Sequence, residues 1–264
     1  MTTAPGLTEV ILQDTLVNYL ISMARVVETA MNRALDAIVG MENQRTAGLP
    51  SEVFLLEPRI NEMEIMIDEY AIRLLRRGSF NEDELRLIVA ALKITNDLER
   101  IGDIAVNLAE RVMTLREMAG AQPPEELGPM VEAVRSMVSR SLGALIFRNA
   151  EMAAQVLESD DVVDQYRDRI FEHLLQHMTT DVALVTPGMQ FILATRHLER
   201  IADHATNIAE DIIFWVRGLD VRHGRGLAMC PEQAGTSAAG AQEVTENSRA
   251  LHPDVTPGCE TQRV

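Results

Sequence analysis

Residues 97–110 read DLERIGDIAVNLAE and residues 197–210 read HLERIADHATNIAE, so at an offset of 100 nine of fourteen positions are identical. Agreement at that level marks the chain as an internal duplication. Within the first copy Leu98, Ile101, Ala105 and Leu108 recur at steps of three and four, which draws one apolar stripe along a helix. Beside that stripe Glu99, Asp103, Asn107 and Glu110 form an oxygen-bearing ridge, and the second copy repeats it with Glu199, Asp203, Asn207 and Glu210.

The same period extends outward from this helix. Leu16, Tyr19, Met23, Val26, Ala30, Ala34 and Ile38 predict a first helix, broken by the stretch from Gly40 to Pro50. Leu56, Ile60, Met63, Ile67, Tyr70 and Leu74 predict a second, stopped at Arg76-Arg77-Gly78. Asn81 with Glu84 three residues on reads as a reciprocal cap opening the third. The second half repeats the plan with a helix ending near Phe147, one from about Asn149 to Met178, and one from about Pro187 to Arg217. The expected fold is all-α: two tandem three-helix bundles, residues 1–120 and 121–217. After Gly218 the apolar period disappears, and residues 218–264 are predicted to form a disordered tail.

A formal net charge of -16 argues against sequence-independent nucleic-acid binding and against charge-driven attachment to anionic lipid. The opening MTTAPGLTEV lacks a basic, apolar leader, and no apolar run approaches the roughly 18 residues a membrane span requires. A cytoplasmic protein is expected. Cys230 and Cys259 fall in the predicted tail and imply neither a disulfide framework nor a zinc site.

The ridges carry the chemistry. The second helix adds Glu57, Asn61 and Glu64 in one copy, and Asp160 and Asp164 in the other. Like charges four residues apart weaken a helix by a few tenths of a kcal/mol, so a repeated Glu-x-x-x-Asp invites a compensating cation. Oxygen ligands suit magnesium, manganese, iron and, less selectively, zinc. Carboxylate count favours the second copy, which keeps four acids where the first has Asn61. The plainer alternative is a solvated acidic face balanced by Arg100 and Arg200. His173, His177, His197 and His204 read more simply as hydrogen-bonded side chains than as ligands. No phosphate loop, nucleophile elbow or nucleotide fingerprint occurs. A carboxylate-bridged di-iron enzyme is disfavoured because the chain has no Glu-x-x-His pair, and a metal-free helical scaffold stands as the other alternative.

LERIGDIAVNLAE, LERIADHATNIAE and ESDDVVD resemble the signature motifs of the PhoU family, and the resemblance covers about residues 7 to 217. It implies paired three-helix bundles carrying multinuclear clusters of divalent or ferric ions. Residue by residue it falls on Glu99 and Asp103, Glu199 and Asp203, Asp160 and Asp164, and Glu57 with Asn61, where the family pattern has aspartate; Asn107, Glu110, Asn207 and Glu210 would extend the set. It further implies a non-catalytic negative regulator of phosphate-starvation signalling, a homodimer working with a phosphate ABC transporter ATPase and a sensor histidine kinase. Those partners would recruit it to the inner face of the membrane.

Overall fold

A computed structural model describes residues 7–222, which form helices and short connections with no strand among the described residues. The first copy comprises α1 (Leu7–Val39), α2 (Leu49–Leu75) and α3 (Glu82–Arg116); the second comprises α4 (Leu127–Phe147), α5 (Ala150–Leu157), α6 (Asp160–Thr180) and α7 (Val185–Arg217). Single 3-10 turns at Gln44–Thr46 and Val182–Leu184 lead into α2 and α7.

The ends of these helices follow local chemistry. At the start of α3 the Glu84 amide donates to Asn81 Oδ1 at 2.9 Å, and the Asn81 amide donates to Glu84 Oε2 at 2.8 Å. That is the predicted reciprocal cap, satisfying two amides that a helix start leaves without partners. At the other end of the architecture α7 stops at Gly218, whose φ of +69 costs a side-chain-free residue little.

One expectation fails. The helix predicted from Asn149 to Met178 is two helices, interrupted at Glu158 and Ser159. Ser159 turns its hydroxyl back onto the Gln155 carbonyl at 2.9 Å, and Asp160 and Asp161 open the next helix. Short polar side chains that bond their own backbone compete with helix continuation, which apolar periodicity does not register. In the first copy α2 runs through unbroken even though it contains Pro58.

The two tandem helix bundles pack against one another. Helix α3 packs along α7 more extensively than any other pair, and α1 meets α4, so the two copies share one continuous apolar core. Leu98, Ile101, Ala105 and Leu108 are fully buried, as are Leu198, Ile201, Ala205 and Ile208. Cutting one such leucine to alanine would cost about 2–5 kcal/mol. Gly102 sets the spacing of α2 on α3: a Cβ there would meet Ile60 Cδ1 at 3.0 Å. The packed chain also reaches past the predicted boundary, since Val221 is buried. The rest of the predicted tail, with Cys230 and Cys259, lies outside the described residues. No described helix is long and apolar enough to cross a membrane.

Candidate metal centres

Each copy brings its second-helix acids against its third-helix acids. In the first copy α2 contributes Glu57, Asn61 and Glu64, and α3 contributes Glu99 and Asp103. Burial, then the charge of Asp103, pushes the Glu99 carboxyl above its ordinary range. Glu64 is pushed up by burial and then by Asp68, with Asp103 adding to the effect. Two oxygens here, Asn61 Oδ1 and Glu99 Oε2, are buried without a hydrogen-bond partner. Arg100 compensates loosely: its Nε lies 3.5 Å from Glu99 Oε2 and its Nη1 lies 3.8 Å from Asp103 Oδ2, with half of the side chain in solvent. Glu57 is half-buried one turn before Asn61 and makes no hydrogen bond or ion pair among the described residues.

The second copy gathers Asp160 and Asp164 from α6 with Glu199 and Asp203 from α7. Asp160 is raised by burial and then by Asp203; Asp203 is raised by burial and then by Glu199. The difference from the first copy is Arg167. Its Nη1 donates to Asp164 Oδ1 at 2.7 Å and to Glu199 Oε1 at 2.5 Å, while Nη2 lies 2.9 Å from Asp168 Oδ1. The hydrogen bonds it donates to Glu199 and Asp168 hold that guanidinium firmly protonated. A fixed cation thus already bridges α6 and α7 among the carboxylates. Arg167 follows Asp164 by three residues and therefore shares its face, so its charge offsets the extra carboxylate of this copy.

The outer members of each ridge go elsewhere. Asn107 donates its side-chain amide to the Asp103 carbonyl at 2.9 Å, and Glu110 is exposed. Asn207 turns away from the α6 acids and donates to Asp97 Oδ1 at 3.2 Å, and with Glu210 it lines a cleft between α3 and α7. The expected four-residue ridge on α7 therefore divides, because positions 207 and 210 face a different neighbour from positions 199 and 203.

The histidines are placed by hydrogen bonds. His204 Nδ1 lies 2.7 Å from Asp97 Oδ1, His173 Nδ1 lies 3.2 Å from Glu126 Oε2, and His177 Nδ1 lies 2.9 Å from the His173 carbonyl. His197 differs: its Nδ1 is buried without a partner, and burial followed by Arg200, Arg111 and Arg196 lowers its pKa. Among the described residues no three histidine, cysteine, aspartate or glutamate side chains converge as a ready ligand set. The first ridge presents oxygen donors, two of them buried without a hydrogen bond, which suits a hard cation. In the second, Arg167 occupies Asp164 and Glu199 and leaves Asp160 and Asp203 without a hydrogen-bonded cation.

Comparison with known proteins gives one consistent result. The PhoU domain family matches residues 20–112 and 127–212. A Pseudomonas putida protein named phosphate-specific transport system accessory protein PhoU homolog is 36% identical over 228 residues, covering 86% of this chain and 87% of its own length. The crystal structure of PhoU from Pseudomonas aeruginosa superposes with a TM-score of 0.74 at 34% identity, covering 79% of this chain and 98% of that one. The phosphate transport system regulatory protein PhoU from Streptococcus pneumoniae shares the fold, with a TM-score of 0.71 at 23% identity over 81% of this chain and 99% of that one.

Proposed function

The chain belongs to the PhoU family, and from that premise we propose that it is a regulatory accessory of a phosphate transport system. The finer reading is a negative regulator. It damps phosphate acquisition by contacting the transporter ATPase and the sensor kinase on the cytoplasmic side, as a homodimer and without catalysis of its own. The observation that carries this reading is the match of both copies to one family, at 36% identity over most of the chain to a transport accessory protein. The acidic ridges support a role for bound cations in that work. Glu57, Asn61, Glu64, Glu99 and Asp103 would hold a divalent or ferric ion on the first ridge, and Asp160, Asp164, Glu199 and Asp203 on the second once Arg167 is displaced. There the ion would neutralise clustered carboxylates and stiffen two helices against one another.

Deleting the gene in its own host tests the regulatory reading. Phosphate-starvation genes should be expressed several-fold more strongly in phosphate-rich medium, and an unchanged response with transporter and kinase intact would overturn it. Elemental analysis of protein purified without chelator tests the metal separately. A metal-free scaffold has one specific observation in its favour, the Arg167 bridge, and metal-free protein that still restores repression would establish it.

A further inference from the structure

Helices α3 and α7 lie antiparallel, as shown by Lys93 on Asp211, Asp97 on His204 and Arg111 on Gln190. The two ends of this seam are chemically unlike. At one end every acid has a donor: Lys93 Nζ reaches Asp211 Oδ1 at 2.8 Å, and Asp97 Oδ1 receives both His204 and Asn207. Exchanging the two copies carries those pairs to the other end. There His197 stands in the place of Asp97 and Arg111 in the place of Asp211, so both seam carboxylates are replaced by basic groups. Arg196 likewise occupies the place of Asn96.

The result is a cationic cluster with little to balance it. The positive charges of Arg200, Arg111 and Arg196 all act on His197. Arg111 Nη1 donates to the neutral Gln190 Oε1 at 3.0 Å, while its Nε and the Nδ1 of His197 are buried without partners. Arg196 and Arg200 make no hydrogen bond or ion pair among the described residues, whereas the repeat-related Arg100 is engaged by Glu99 and Asp103. Arg196 and Arg200 stand one helical turn apart and also border a cavity of about 560 Å³ against α6. Asp168, Glu199 and Asp203 line that cavity as well, but Arg167 already holds the first two. Arg196 and Arg200, exposed and without carboxylate partners, leave their guanidinium donors open to an anion.

We propose that this end of the α3–α7 seam binds a phosphate group, clamped by the guanidinium groups of Arg196 and Arg200 with Arg111 as a third donor. Guanidinium forks match tetrahedral oxyanions geometrically and bind them with charge-assisted hydrogen bonds. The choice of phosphate among oxyanions rests on the regulatory reading above; the anion site itself rests on the seam.

Titration calorimetry of the full chain with inorganic phosphate, against chloride at matched ionic strength, tests it. Saturable binding is expected. It should weaken by about tenfold or more in the double variant Arg196→Gln with Arg200→Gln. Both residues are exposed, so thermal melting should confirm that the variant folds like the parent. Arg135→Gln, on α4 beside Asp36, should leave the binding in place. A parallel arm with phosphatidic acid vesicles separates a lipid headgroup from the free ion, and loss of either response in the double variant supports the site. Absence of binding to both probes up to about 10 mM, or undiminished binding in the double variant, would overturn it. These outcomes are independent of the gene-deletion test, which succeeds or fails whether or not the isolated chain takes up phosphate.

Discussion

The two acidic ridges descend from one repeated helix pair, yet they neutralise their charge in opposite ways. The first leaves Glu99 Oε2 and Asn61 Oδ1 buried without hydrogen bonds and relies on a half-exposed Arg100. The second carries one more carboxylate on the motif positions and answers it from within, through Arg167. At the repeat offset of 103 the residue matching Arg167 is Glu64, so a single position exchanges a cation for a further acid. Counting acids along one helix misjudges a ridge, because the balance is struck across the groove by the neighbouring helix.

Removing the internal cation should produce the largest effect. Arg167→Met is expected to lower the stability of metal-free protein by about 1–2 kcal/mol, below the cost of breaking a fully buried pair because the groups are partly solvated. That corresponds to a fall in melting temperature of roughly 2–8 °C at this size. Millimolar manganese or magnesium should restore much of the loss in the variant while moving the parent less at this ridge. An unchanged melting temperature in the absence of metal would show that the bridge contributes nothing.

The reverse exchange sharpens the contrast. Glu64→Arg gives the first ridge the residue found in the second, and is expected to raise the stability of metal-free protein by about 1 kcal/mol while reducing cation binding there. Equilibrium dialysis against manganese reads the second half of that expectation. Retention of full cation binding would mean that the first ridge is not where the ion sits.

A single-charge change of similar size carries a pH signature. Glu99→Gln should raise the melting temperature of metal-free protein by about 2–4 °C, equivalent to about 1 kcal/mol, because a mostly buried carboxylate beside Asp103 is discharged. Glu199→Gln should lower it slightly, since Arg167 loses an acceptor. The pKa of Glu99 is raised in the folded chain, so the native state holds its proton more tightly than the unfolded one. Its protonation therefore stabilises the parent as pH falls from the raised value toward the ordinary carboxylate value of about 4.3. The advantage of Glu99→Gln should be greatest near neutrality and vanish below about pH 4. A difference that is flat with pH would exclude the titration of Glu99 as its source.

Much of this was legible along the chain because its signals are local. Apolar spacing located α1, α2, α3, α4 and α7, and the Asn81–Glu84 cap follows from two side chains three residues apart. The interruption at Ser159 was missed because the hydroxyl's choice between solvent and the Gln155 carbonyl has no periodic trace. Repeat symmetry gives His197 and His204 no histidine counterparts, since positions 97 and 104 carry Asp and Ile. In the antiparallel seam, however, position 97 meets 204, and the mismatched pair becomes Asp97 with His204.

By itself the sequence determined the helical class, the duplication and the membership of Glu99, Asp103, Glu199 and Asp203 in repeated acidic ridges, since each depends on residues within a turn or two of one another or on self-similarity. Only the tertiary structure decided that the two copies share one core, that Arg167 answers Asp164 and Glu199 together, and that Arg111, Arg196, His197 and Arg200 collect at one end of the seam. Those outcomes depend on which faces of α3, α6 and α7 meet. Burial then strengthens the charges that meeting encloses, Glu99 and Asp203 among them, while the same charges spaced along an isolated helix would be screened by water.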